Sequence, residues 1–123
     1  MEKRSRSGLA RLADATRYSI RGLTNAWRNE TAFRQEVVVI VILLPVALWL
    51  GNTAIQRALL VLSALMILIV ELINSAIEST VDRIGSEAHP LSAQAKDMGS
   101  AAVLITLITA AAVWVFIAWE RWS

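Results

Sequence analysis

The chain has 123 residues, of which 56% are hydrophobic, and its mean hydropathy is +0.55. It contains no cysteine, which excludes disulfides, thiol catalysis and thiolate metal sites. The net charge is only +2, but eight of the twelve Lys and Arg residues precede the first long apolar run. Long apolar runs and short connections predict an all-α membrane protein with a single domain over residues 1–123.

The first predicted element is an amphipathic helix over residues 8–29. Its apolar residues recur every three or four positions from Leu9 to Trp27, whereas Arg11, Arg17 and Arg21 take the opposite face. No soluble remainder exists for this helix to cover, so we expect it to lie on the cytoplasmic membrane surface. The helical spacing of its basic residues favours a membrane over a nucleic-acid partner, and we expect no nucleic-acid binding.

Three apolar stretches follow, and they predict membrane-spanning helices over residues 31–50, 54–82 and 93–119. The polar segment from Asp82 to Asp97 predicts a loop, with Ser92 as the cap of the third span. The positive-inside rule places the N-terminus and this loop in the cytoplasm.

A polar stripe marks the end of the second predicted span. Glu71, Asn74, Ser75, Glu78 and Asp82 fall on one face of that helix. A charge in hydrocarbon costs about 2.5–3.5 kcal/mol by insertion scales, so an ionisable residue there is expected to serve a site or a pathway. Glu71, the deepest and least hydrated of these carboxylates, suits a general base acting on a hydroxyl, and Asn74 suits its support.

Other charged residues are predicted at the same depth, where the bilayer gives way to water. Glu30 begins the first span, and Lys96 and Asp97 begin the third. A water-soluble reactant and a lipid-soluble one can meet only at this boundary. Glu30 and Glu78 suit a hard cation such as Mg²⁺, which takes one or two carboxylates and phosphate oxygens. Lys96 and Arg11 suit the neutralisation of phosphate charge.

Nucleotide-binding loops of soluble enzymes are absent from the sequence: it has no P-loop and no kinase glycine-rich loop. His89 is the only histidine, and either a solvent-exposed side chain or a nucleotide contact accounts for it.

Three segments closely resemble the small integral-membrane diacylglycerol kinases of Gram-negative bacteria. They are residues 22–36 (GLTNAWRNETAFRQE), residues 71–78 with 81–85 (ELINSAIE, VDRIG), and residues 95–103 (AKDMGSAAV). The resemblance covers nearly the whole chain from Leu9. It implies a multi-pass inner-membrane homotrimer with a cytoplasmic N-terminus, three spans and one surface helix per chain, and active sites shared between neighbouring subunits.

The resemblance also implies roles for individual residues. Glu71 would be the catalytic base supported by Asn74, and Glu30 and Glu78 would bind Mg²⁺ together with ATP. The residues implied to contact the nucleotide are Arg11, Tyr18, Glu30, Glu78, Glu87, His89, Lys96 and Asp97. The residues implied to border the lipid substrate are Arg11, Ala32, Phe33, Arg34, Gln35, Glu36, Glu71 and Ser100.

The expected function is ATP-dependent phosphorylation of diacylglycerol to phosphatidic acid at the cytoplasmic face of the inner membrane, in lipid recycling. The nearest alternative is an undecaprenol kinase, which has the same fold and a longer lipid. A small proton-coupled exporter also uses a membrane glutamate, but it needs that residue near the middle of the bilayer and needs no Lys96 or Glu30 at the same level. A non-catalytic membrane scaffold would consume no ATP.

Overall fold

Four α-helices joined by short connections make up the computed structural model, which describes residues 7–123. They are α1 (Gly8–Asn29), α2 (Thr31–Leu50), α3 (Ala54–Ile84) and α4 (Pro90–Trp122). Three of them, α2, α3 and α4, are long and apolar enough to cross a membrane. The predicted all-helical fold is therefore confirmed, whereas the homotrimer stays a prediction. Three of the basic residues counted above, Lys3, Arg4 and Arg6, lie outside the described residues.

Helix α1 is held to the rest of the chain mainly at its end. Ser7 caps its start, because its hydroxyl accepts a hydrogen bond from the backbone N–H of Ala10 at 3.2 Å. Only Ala26 in this helix is buried. The apolar residues of its amphipathic face, such as Leu9 and Leu12, are exposed and are not covered by the rest of the chain. This is the distribution expected of a helix that lies on a surface.

Helices α3 and α4 form the main packed pair and run antiparallel. Gln56 Nε2 donates to Glu120 Oε2 at 3.0 Å near one end of the pair, and Lys96 Nζ donates to Asp82 Oδ1 at 2.7 Å near the other. Helix α2 packs chiefly on α3. The buried apolar cluster consists of Ala47, Leu50, Leu60 and Ile117, and so joins all three long helices.

Arg121 fastens α4 to the end of α2, at the end of the bundle far from the polar stripe. Its Nη1 donates to the carbonyl oxygens of Trp49 and Leu50, at 3.1 and 3.2 Å, and to Asn52 Oδ1 at 2.9 Å. Its guanidinium also lies 4.5 Å from the centroid of the Trp49 ring. One side chain therefore satisfies carbonyls that the end of α2 leaves without intrahelical partners.

The connection between α3 and α4 is shorter than the sequence predicts. Helix α3 continues to Ile84 and α4 begins at Pro90, so only residues 85–89 lie outside the helices. The predicted cap at Ser92 is wrong, since His89 Nδ1 accepts the hydrogen bond of the Leu91 N–H at 3.1 Å and caps α4. Pro90 suits the first helical position because a backbone N–H, which proline lacks, would have no intrahelical acceptor there.

Candidate active site

The polar stripe of α3 runs from the interior of the chain out to water. Glu71, Asn74 and Ser75 are buried, with 7%, 8% and 9% of their surface exposed. Glu78, one turn further, is half-buried and Asp82 is exposed. The shared face that the sequence predicts is therefore present, and along this one helix it passes from buried to exposed residues.

Within residues 7–123, the only side-chain hydrogen bond between members of this stripe joins Asn74 and Glu78. Asn74 Nδ2 donates to Glu78 Oε1 at 3.3 Å, one turn along α3. Asn74 Oδ1 is buried and has no hydrogen-bond donor. The NH₂ group of the Asn74 amide is therefore held by the Glu78 carboxylate, whereas its carbonyl oxygen is held only by packing.

Four carboxylates gather around the buried part of α3. Electrostatic repulsion reaches Glu71 from Glu78 and Glu30, and it reaches Glu36 from Glu71. Glu36 Oε2 is itself buried without a hydrogen-bond partner. Two ion pairs form within residues 7–123, Arg17–Asp14 and Lys96–Asp82, and neither includes a member of this cluster. None of the four carboxyl groups is therefore in an ion pair with a basic residue of the described chain.

Glu30 owes its place to the break between α1 and α2. It is the single extended residue between them, with φ −116° and ψ 104°, and its side chain is half-buried. Arg34 braces this junction: Nη1 donates to the carbonyls of Trp27 at 2.8 Å and Arg28 at 3.1 Å, and Nη2 donates to Thr31 Oγ1 at 3.3 Å. The guanidinium of α2 therefore caps the C-terminus of α1.

A cleft of about 550 Å³ lies between α1 and α3, beside Glu30. Small and polar residues of both helices line it, among them Asn25, Ser75 and Ser79. A second cleft of about 540 Å³ lies where α3 ends and α4 begins, and Asp82, Glu87, His89 and Lys96 line it.

The structure divides the expected nucleotide contacts other than Glu30 and Glu78 into two groups. Glu87, His89 and Lys96 share the second cleft. Asp97 is exposed on α4 next to Lys96. Arg11 and Tyr18 line neither cleft: both are exposed on α1, where the Arg21 guanidinium lies 5.8 Å from the centroid of the Tyr18 ring. One chain therefore does not bring all of these residues together.

The expected lipid contacts differ widely in exposure. Ala32, Gln35 and Ser100 are exposed, so they lie on surfaces that a second molecule can reach. Phe33 retains 4% exposure and belongs to the interior of the chain. Arg34 donates hydrogen bonds to the last carbonyls of α1, and Glu36 is half-buried beside Glu71.

Two contributors at this site are not apparent from sequence reasoning. Gly99 of α4 is buried against Asn74, and Ser79 lines the first cleft. A lone glycine inside a long apolar helix is a signal of close backbone approach, so Gly99 could have been found in that way. Ser79 carries no comparable signal.

The sequence is similar to a described family over most of its length. Residues 17–118 match the family model for prokaryotic diacylglycerol kinase. The chain is 51% identical over 117 residues to the diacylglycerol kinase of Escherichia coli strain K12, which covers 95% of this chain and 96% of that protein. It is 50% identical over 111 residues to that of Pseudomonas aeruginosa (90% of each chain). For the Haemophilus influenzae protein the identity is 48% over 108 residues, 88% of this chain and 92% of that one.

We expect Arg34→Ala to loosen the junction that carries Glu30. Because the carbonyls of Trp27 and Arg28 lose a charged donor, the amides in the last two turns of α1 should exchange hydrogen about tenfold faster. Hydrogen-exchange mass spectrometry measures this rate. Arg28→Ala is the matched control, since the Arg28 side chain is exposed and has no hydrogen bond or ion pair in the described chain. Equal exchange in the two variants would contradict the capping role.

Proposed function

We propose, because this chain belongs to the prokaryotic diacylglycerol kinase family, that it transfers the γ-phosphoryl group of ATP to the free hydroxyl of diacylglycerol. The products are phosphatidic acid and ADP. The chain is an integral membrane kinase, and its lipid substrate and ATP approach from different phases. The single observation that carries the proposal is the buried Glu71 at the inner end of a stripe that reaches water at Asp82.

In the proposed reaction, Glu71 acts on the lipid hydroxyl. The hydroxyl oxygen bonds to the γ-phosphorus as the bond from that phosphorus to the β,γ-bridging oxygen breaks, and the hydroxyl proton passes to a carboxylate oxygen of Glu71. The burial of Glu71 supports this role, since a poorly hydrated carboxylate is a better proton acceptor than a solvated one. The remaining lowering of the barrier comes from positioning and from charge neutralisation.

Glu30 and Glu78 would hold Mg²⁺ in this reaction. Among residues 7–123 no three His, Cys, Asp or Glu side chains form a metal cage. Mg²⁺ does not need one, since it is bound through one or two carboxylates plus substrate phosphates. The carboxyl groups around Glu71 form no ion pair within the described chain, which supports a cation at this place. The ion, when bound, neutralises charge on the phosphates, while Asn74 holds the Glu78 carboxylate in position.

Lys96 is the residue of the second cleft suited to the phosphate groups of ATP. Its ammonium pairs with Asp82 at 2.7 Å, yet 43% of its side chain is exposed, so it can exchange that partner for a phosphate oxygen. Glu87, His89 and Asp97 lie close by for the rest of the nucleotide. Ala32, Gln35, Glu36 and Ser100 would border the lipid.

A homotrimer with shared active sites explains why the nucleotide residues fall into two groups within one chain. Arg11 and Tyr18 on α1 would serve a site completed by a neighbouring subunit. We further propose that the protein lies in the bacterial inner membrane with its N-terminus in the cytoplasm. The excess of Lys and Arg before α2 supports this orientation, because positive loops stay on the cytoplasmic side.

The test is transfer of labelled phosphate from ATP to an added lipid by the purified protein. We expect labelled phosphatidic acid from diacylglycerol, dependence on Mg²⁺, and preference for diacylglycerol over undecaprenol when the two compete. Preferential labelling of undecaprenol would assign the alternative kinase activity. Absence of lipid-dependent ATP consumption would leave a non-catalytic protein, and proton-coupled export without phosphate transfer would support an exporter.

Glu71→Gln should lower kcat by about 10²- to 10⁴-fold, because an amide cannot accept the hydroxyl proton. Binding of MgATP, measured with a fluorescent nucleotide in the absence of lipid, should stay close to that of the unmodified protein. Glu120→Gln is the matched control, since Glu120 lies at the far end of the bundle, where it accepts from Gln56. Unchanged turnover in Glu71→Gln would reject Glu71 as the base.

Glu78→Gln should raise the Mg²⁺ concentration needed for half-maximal activity, because a neutral amide replaces one of two carboxylate ligands. A Mg²⁺ titration at saturating ATP and lipid measures the change, for which we expect about tenfold or more. The same titration on Asp82→Asn, which removes an exposed carboxylate from the outer end of the same stripe, should show a much smaller shift. Equal shifts in the two variants would argue against a metal ligand at Glu78.

A further inference from the structure

Gly99 lies at the place where α4 crosses the polar stripe of α3. The residue is buried, and a Cβ atom built on it would overlap Asn74 Oδ1 and would lie 3.3 Å from Asn74 Cγ. It would also lie 3.8 Å from Ile77 Cδ1, which is ordinary van der Waals contact. The side chain of Asn74 therefore occupies the space in which any other residue at position 99 would place its first carbon.

The direction of the Asn74 amide follows from its two neighbours. A carboxylate only accepts hydrogen bonds, so the NH₂ group must face Glu78, at the observed 3.3 Å from Nδ2 to Oε1. The carbonyl oxygen then points the other way, toward Gly99, and is buried there without a donor. The reversed amide would set two oxygens against each other. Glu78 selects the orientation, and Gly99 makes the room for it.

Neither the glycine at position 99 nor the buried Asn74 carbonyl oxygen stabilises the helix that contains it. Glycine is among the poorest residues for a helix interior, and a buried carbonyl oxygen without a donor is unfavourable. At position 99 alanine would serve α4 better if Asn74 were absent. The arrangement is therefore explained by what it does for the Asn74–Glu78 contact rather than by helix stability.

We propose that Gly99 is a positioning residue, which admits the Asn74 amide between α3 and α4 and thereby holds the Glu78 carboxylate in place. The geometric part of this proposal stands on the contacts alone. Its consequence for catalysis rests on the proposed function, in which Glu78 binds Mg²⁺. Displacing the Asn74 amide breaks its hydrogen bond and releases the metal-binding carboxylate to move.

A double-mutant cycle tests the geometric part without any substrate. The variants are Gly99→Ala, Asn74→Ala and the combination, and the readout is Tm in detergent. In the presence of Asn74, Gly99→Ala should lower Tm because the amide must be displaced. In the Asn74→Ala background the same change should raise Tm, because the clash is gone and alanine favours the helix. A loss of Tm of the same size in both backgrounds overturns the proposal and assigns Gly99 to backbone packing.

A readout of the metal site separates positioning from stability. Gly99→Ala should raise the half-saturating Mg²⁺ concentration about tenfold, as loss of a supporting contact to a metal ligand does, and should leave the KM for diacylglycerol nearly unchanged. Unchanged Mg²⁺ dependence overturns the positioning role. Gly8→Ala is the matched control, since a Cβ at Gly8 meets nothing within 4 Å, and it should change neither Tm nor the Mg²⁺ titration.

Two outcomes remain informative if a variant or the assay fails. If Gly99→Ala yields no folded protein, the combination with Asn74→Ala should restore folding, and its failure to do so overturns the proposal. If the unmodified protein transfers no phosphate to diacylglycerol, the proposed function fails, while a change of sign in the Tm cycle still supports Gly99 as the residue that makes room for Asn74.

Discussion

A carboxylate that leaves water must find new partners, and most of the arrangement around α3 follows from that requirement. Glu71 is buried, Glu30 and Glu78 act on it by repulsion, and in the described part of the chain none of the three forms an ion pair. Clustered carboxylates without ion pairs are stabilised by a bound cation or by protonation. In the proposed function, a metal-bound nucleotide would supply the cation and the hydroxyl of the lipid would supply the proton.

The precision of this cluster comes from ordinary backbone contacts. Glu30 projects from a one-residue break that Arg34 braces by capping α1. Glu78 is held by Asn74, whose amide fits because α4 has glycine at the crossing point. The positions of Glu30 and Glu78 therefore depend on the guanidinium of Arg34 and on the absence of a side chain at Gly99.

Local patterns in the sequence carry much of the fold. The apolar spacing from Leu9 to Trp27 predicts a helix over residues 8–29, and α1 runs from Gly8 to Asn29. Periodicity likewise predicts that Glu71, Asn74 and Glu78 share one face, and the burial of Glu71 and Asn74 follows that face. These features depend on residues within a few turns of each other, which is the range over which a single sequence is informative.

Features that depend on another element were harder to predict. Polar composition predicts a loop from Asp82 to Asp97, but both α3 and α4 extend beyond their apolar segments into this region. Asp82 and Lys96 therefore lie on two facing helices, where they form an ion pair. In the sequence, nothing distinguishes Arg34 from an exposed basic residue; only the structure shows that its guanidinium binds the carbonyls at the end of α1. The separation of Arg11 and Tyr18 from the second cleft is likewise not apparent from the sequence, because the periodicity of one helix does not indicate which helices lie beside it. At the far end of the bundle, Arg121 has a consequence for biogenesis: the carbonyls of Trp49 and Leu50 accept hydrogen bonds from a residue that is synthesised 72 and 71 positions later, so these contacts at the end of α2 cannot form until α4 has been made.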